Sequence, residues 1–167
     1  SAGSKIIAAR VTRQQTLIWT DTALHSMRFT GPPFTFGFSM LANNISIIGP
    51  NAVTTVGDKA FWMDRENFYV YTGSVQIIPC TLLRYVFDDI NLEQAFKSFA
   101  ASNKMFDEVF WFYPSADSEE IDRYVKFNYV ENTWDLGTMS RTAWVDSGVH
   151  DNPRASGSVN DVNYVYV

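Results

Sequence analysis

Cysteine is almost missing from this sequence: Cys80 is the single one in 167 residues. An intrachain disulfide framework and any multi-cysteine metal site are therefore excluded. Cys80 ends the apolar run Val75-Gln76-Ile77-Ile78-Pro79-Cys80, where a buried, inert thiol is expected. Histidine is scarce too. His25 alternates with Leu24 in an expected strand and reads as a surface residue, while His150 sits in a polar loop, so a shared metal or catalytic role is not indicated. Charge is also sparse, at 19 % of residues, and its balance is acidic, with a net charge of −5. A general phosphate-gripping surface is normally basic, and Lys5, Arg10 and Arg13 near the start are too few to create one. No apolar stretch is long enough to span a bilayer and the first residues do not read as a secretory apolar core, so no membrane insertion is expected. A Gly-rich phosphate loop, an HExxH pair, a nucleophile elbow and zinc-type spacing are all missing, and no cofactor is expected.

What is plentiful is aromatic: 13 Phe, 8 Tyr and 5 Trp make 16 % of the chain, a bias that favours strands, where flat side chains pack on a pleated surface. The aromatics recur in a pattern. Leu17-Ile18-Trp19-Thr20-Asp21, Ala60-Phe61-Trp62-Met63-Asp64 and Val109-Phe110-Trp111-Phe112-Tyr113 are each followed by a turn and a second such stretch. Their tryptophans stand about 43 and 49 positions apart, near the roughly 40–50 residues of a propeller blade. Trp134 and Trp144 extend the series of structural repeat aromatics. Repetition of one strand–turn–strand unit predicts a mainly β fold of antiparallel meanders in a propeller-like, incomplete arrangement. The length suits one β-rich domain with a sizeable core, or three to four such units. The final Asn163-Tyr164-Val165-Tyr166-Val167 stops inside an expected strand, which suggests a piece of something longer.

Strands are expected over residues 5–13, 16–20 and 24–29, with a break at Gly31-Pro32-Pro33, because proline cannot donate to a ladder. Phe34, Phe36 and Phe38 follow on one face by period two and form a candidate subunit contact. Strands over 52–56, 59–63, 68–72 and 75–78, joined by short turns, complete a four-stranded meander. Between residues 81 and 103 the apolar period changes to three and four, predicting an insertion of two short helices with Thr81 and Asn91 as N-caps and Asp88-Asp89 between them. Phe87 and Phe96 lie on the apolar faces of these helices, expected to be buried, and are further candidate contact residues. Strands return over 108–113, 123–130 and 133–136, and residues 147–161, rich in Ser, Asn, Asp and Gly, predict a mobile loop.

Two other functions compete with a purely structural one. Glycoside hydrolysis needs two carboxylates held roughly 5–10 Å apart across a cleft. The candidates are Asp88 with Asp89, the group Asp117, Glu119, Glu120 and Asp122, and the set Asp21, Asp64 and Asp146. A helix break, a solvated loop and recurring turn chemistry account for them in that order, so no catalytic residue is assigned. The aromatics can also stack sugars, which makes a carbohydrate- or receptor-binding module the alternative; against it, each aromatic buries on the order of 150–250 Å² when sheets pack.

The strings Leu17-Ile18-Trp19-Thr20-Asp21-Thr22-Ala23-Leu24-His25-Ser26-Met27, Gly31-Pro32-Pro33-Phe34-Thr35-Phe36-Gly37, Phe61-Trp62-Met63 and Phe68-Tyr69-Val70-Tyr71-Thr72-Gly73 resemble the tail nozzle or hub proteins of short-tailed bacteriophages, which are akin to packaged-DNA stabilisation proteins. So do Leu83-Arg84-Tyr85-Val86-Phe87, Glu108-Val109-Phe110-Trp111-Phe112-Tyr113-Pro114-Ser115 and Arg123-Tyr124-Val125. The resemblance implies a virion protein made in the host cytoplasm and built into the tail. It implies a ring of identical copies below the portal, contacts with portal or adaptor and other tail proteins, and double-stranded DNA only as non-specific cargo in the channel. It implies no enzymatic residue. Family members are much longer than this chain.

Overall fold

The structure, a computed structural model, describes residues 5–141, 143–146, 153–159 and 162–166. The described chain is mainly β and forms four antiparallel sheets of three or four strands. It divides into two compact units, Ser1–Pro79 and Cys80–Val167.

In the first unit, β1 (Ile6–Val11), β2 (Thr16–Thr20), β3 (Ala23–Phe29) and β4 (Phe36–Asn43) pair in sequence order as the first sheet. The second sheet repeats the plan with β5 (Val53–Val56), β6 (Lys59–Met63), β7 (Phe68–Tyr71) and β8 (Val75–Ile77). Turn chemistry sets the second meander. Asp64 Oδ1 accepts from the backbone N–H of Glu66 and of Asn67, each at 2.7 Å, which closes the β6–β7 turn. Gly57 supplies the positive φ of +61° that the β5–β6 turn requires.

The second unit opens with a short helix, α1 (Leu83–Phe87), and a 3-10 turn at Ala95–Lys97. The third sheet then runs through β9 (Phe99–Asn103), β10 (Glu108–Tyr113), β11 (Arg123–Asn128) and β12 (Thr133–Thr138), again with sequence neighbours paired. A fourth sheet holds β13 (Ala143–Val145), β14 (Arg154–Val159) and β15 (Val162–Tyr166).

The three leading tryptophans occupy one structural position. Trp19, Trp62 and Trp111 each lie on the second strand of a four-stranded meander, and all three are fully buried. Register explains the fit. Trp19 sits between Ala8 and Leu24, Trp62 between Val53 and Tyr69, and Trp111 between Ala100 and Val125, so a smaller neighbour on the first strand leaves room for the indole. Within the first unit Trp19 meets Trp62 edge to face at 5.4 Å, and Trp62 Nε1 donates to the Ser46 carbonyl at 3.2 Å. Trp134, on the fourth strand of the third sheet, stacks on Trp111 at 6.0 Å.

Three expectations are corrected. The helical insertion over 81–103 shrinks to five residues and one 3-10 turn, and its last five residues are β9. Ala100-Ala101-Ser102-Asn103 has helix-compatible composition, but its small side chains sit opposite Trp111, Phe110, Val109 and Glu108 of β10, and that pairing overrides local propensity. Thr81 caps nothing, since Leu82 stands at the N-cap of α1 without a side-chain bond; Asn91 Oδ1 does accept from Glu93 and Gln94 N–H at 3.1 and 3.4 Å, closing a turn. Within the loop expected over 147–161, residues 154–159 form β14; residues 147–152, with His150, and 160–161 lie outside the described residues.

Candidate functional site

A β-sheet with one face on a core normally turns polar residues to water. The first sheet does not. Its inner face carries Leu17, Trp19, Leu24 and Ser26, all buried. Its other face, fixed by the pairs Met27–Phe38 and Phe29–Phe36, presents Phe29, Phe36, Phe38 and Met40 at 70, 51, 68 and 51 % exposure. Phe34, in the loop before β4, adds a further ring at 76 %. Phe29 and Phe36 meet edge to face at 6.0 Å, so the rings form one continuous patch.

The patch lies at the rim of the sheet as well as on its face. β4 is an edge strand, and Phe36-Gly37-Phe38-Ser39-Met40-Leu41-Ala42-Asn43 carries no charge along its length. Edge strands are usually defended by lysine, proline or a covering element. Here Pro32 and Pro33 stand only in the β3–β4 loop, before the strand begins. Face and edge together leave one exposed, uncharged aromatic stretch on the first sheet.

The structure therefore places Phe34, Phe36 and Phe38 together in the open, with Phe29 and Met40 beside them. Sequence reading missed those two: Phe29 comes opposite Phe36 only through the β3–β4 register, while Met40, opposite His25, continues the alternation of Phe36 and Phe38 along β4. The remaining candidate contacts are dispersed. Phe87 is half-buried on α1, and Phe96 is 58 % exposed at the 3-10 turn, which corrects its expected burial. Trp144, on β13, stacks on Phe110 at 5.5 Å, meets Phe112 at a tilt at 6.0 Å, and donates to the Ser102 carbonyl at 3.0 Å.

The carboxylates take local structural bonds. Asp122 accepts from the N–H and the Oγ of Ser115, both at 2.7 Å; Asp146 accepts from Ser102 Oγ at 3.0 Å; Glu120 pairs with Lys97 at 2.7 Å. Lys126 bridges Glu108 at 2.9 Å and Asp135 at 3.7 Å, and the hydrogen bond to Glu108 holds its ammonium above the ordinary lysine range. Cys80 is half-buried, and burial pushes its thiol up to about 11, so it is protonated and a poor nucleophile at neutral pH. Among the described residues no group of three or more His, Cys, Asp or Glu side chains is assembled to hold a metal, and no helix is long and apolar enough to cross a membrane.

No protein-family model matches this chain, and no curated protein matches it.

Proposed function

We propose that this protein is a structural component of a short-tailed phage virion, of the tail nozzle or hub kind, and that it works by assembling with copies of itself. The observation that carries the reading is the unprotected aromatic face and edge of the first sheet. Phe29, Phe34, Phe36, Phe38 and Met40 together expose on the order of 600 Å² of apolar surface. That stands at the upper end of the largest apolar patches on soluble monomers, about 300–600 Å², and approaches the roughly 800 Å² each partner contributes to a standard interface. Three meanders with a buried tryptophan at the same position support a stiff wall material, and a propeller-like arrangement of such sheets is part of the proposal. The resemblance of the aromatic strings to nozzle and hub proteins supplies the setting: a ring at the portal exit, other tail proteins as neighbours, and DNA passing through. A net charge of −5 suits a surface that DNA passes without being gripped.

The test is mass measurement in solution joined to electron microscopy. Wild-type protein at tens of micromolar is expected to exceed monomer mass and to show closed rings, while Phe36→Ser combined with Phe38→Ser gives monomers of unchanged thermal stability. A wild-type monomer, or assembly indifferent to the double substitution, refutes the reading. Tight duplex binding at physiological salt would contradict the passive-channel part of it.

A further inference from the structure

We propose that the first unit carries a binding site for a carboxylate-bearing, hydroxyl-rich ligand of sugar size, an acidic monosaccharide unit, in the cleft beside Arg28. The cleft measures about 340 Å³ and is lined by Arg28, Lys59, Asp58, Gln15, Tyr71 and Thr12. That volume lies at the lower end of the range of small-ligand sites, about 300–1,000 Å³. Turns at one end of two sheets build it: the β1–β2 turn brings Thr12 and Gln15, the β5–β6 turn brings Asp58 and Lys59, and Tyr71 ends β7.

The key feature is how firmly Arg28 is held. Gln15 is fixed through its backbone, because Thr12 N donates to the Gln15 carbonyl at 2.8 Å and Gln15 N donates to Thr12 Oγ1 at 3.3 Å. Its side chain is buried, at 8 % exposure, and bridges two groups. Gln15 Nε2 donates to Tyr71 Oη at 2.8 Å, and Gln15 Oε1 accepts from Arg28 Nε at 2.6 Å. With Nε engaged, the guanidinium plane is set and its two terminal nitrogens remain as a fork. No described residue accepts from them. A planar fork of this kind matches a carboxylate in bidentate geometry.

Charge and hydrogen-bond inventory narrow the ligand. Arg28 and Lys59 against Asp58 leave one net positive charge at the cleft, in a chain whose overall charge is −5. A monoanion is neutralised there, whereas a phosphate dianion overshoots the local charge and meets the Asp58 carboxylate. Asp58 is suited to accept from ligand hydroxyls, Thr12 Oγ1, which donates to the Gln15 carbonyl at 2.9 Å, keeps one acceptor position, and Tyr71 Oη, which accepts from Gln15, has its own O–H to donate. The site belongs to the first unit alone and is independent of whether copies assemble.

The experiment titrates the full chain with D-glucuronate by calorimetry and saturation-transfer NMR, with glucose, glucose 6-phosphate and acetate as comparison ligands. Saturable glucuronate binding of roughly millimolar strength is expected, with each comparison ligand at least about tenfold weaker. Arg28→Gln is expected to abolish it, and Arg28→Lys, which keeps charge but loses the fork, to weaken it about tenfold. Lys59→Gln, at the exposed first residue of β6, gives a smaller loss and serves as the readout should an Arg28 variant fail to fold. The proposal is overturned if glucuronate does not saturate, if glucose, glucose 6-phosphate or acetate binds equally well, or if folded Arg28→Gln and Lys59→Gln proteins bind as wild type does.

Discussion

The first and third sheets share a plan and differ in what covers them. Each is a four-stranded meander with a buried tryptophan on its second strand, Trp19 or Trp111, and apolar residues alternating onto the opposite face. In the third sheet that opposite face, with Phe110, Phe112 and Tyr124, is closed: Trp144 lies against both phenylalanines, and Ile121 and Met139 pack beside them. In the first sheet the same side, with Phe29, Phe36, Phe38 and Met40, lies open. The third sheet's aromatic alternation is covered by β13 of the same chain, whereas the equivalent residues of the first sheet are exposed.

The hardest test of the shared plan removes the tryptophans. Trp19→Ala and Trp111→Ala are each expected to cost about 3–5 kcal/mol, because a fully buried indole leaves a cavity that flanking strands cannot close. Denaturant unfolding measures both. Values differing by more than about 2 kcal/mol would break the equivalence of the two positions.

Uncovering the third sheet should make it behave like the first. Trp144→Ala removes the stacked ring and the bond to the Ser102 carbonyl, an expected loss of about 2–3 kcal/mol accompanied by new binding of a hydrophobic dye. Phe38→Ser runs the other way: stability within about 0.5 kcal/mol of wild type, with dye binding reduced. Dye binding unchanged in both variants would remove the contrast between the faces.

Much of this plan is legible in the sequence, because alternation and turn residues are local signals. The strands expected at 16–20, 59–63 and 108–113 match β2, β6 and β10 residue for residue. What is not legible depends on partners distant in sequence. The 81–103 segment has helical spacing, yet β9 forms there because β10 offers an edge that small residues can approach. β4 continues through Asn43 beyond the aromatic run that announces it, held by pairing with β3 across an irregularity at Leu24/His25. The open face was partly visible, in Phe34, Phe36 and Phe38; Met40 continues their alternation along β4, and Phe29 required the register. Nothing local marks the Arg28 cleft, whose parts come from separate turns and strands.

The glycines of the two fourth strands refine the comparison at smaller scale. A Cβ on Gly137 would lie 2.7–2.8 Å from the Tyr124 ring, which is itself packed against Phe110 and Phe112, so the ring cannot retreat freely. Gly137→Ala should cost about 1–3 kcal/mol by overpacking. A Cβ on Gly37 would meet only the Thr30 methyl at 2.9 Å, on an exposed loop residue, and Gly37→Ala should cost less than about 1 kcal/mol. Gly37 pairs with Arg28 on the side of β4 opposite Phe36 and Phe38, so thermal unfolding of the pair shows whether a packed ring resists the added methyl more than an exposed loop side chain does.

A last effect separates the two sheets by pH. Residues 5–43 contain no tyrosine, so the first sheet has no phenol to ionise in alkali. The third sheet holds Tyr113 on β10, where burial first and the Asp89 carboxylate second push its hydroxyl up to about 12 from an ordinary 10. The folded state therefore keeps this proton over a range in which the unfolded chain has released it. The stability so gained is complete below pH 10 and is lost as pH rises from about 10 through 12. Tyr113→Phe cannot ionise, so its stability should decline less than wild type across that window while matching it near neutrality to within about 1 kcal/mol. Denaturant titrations at pH 8 and pH 11 read the difference. A wild type and variant that weaken in parallel would locate the alkaline sensitivity elsewhere and remove Tyr113 as the titrating mark of the closed sheet.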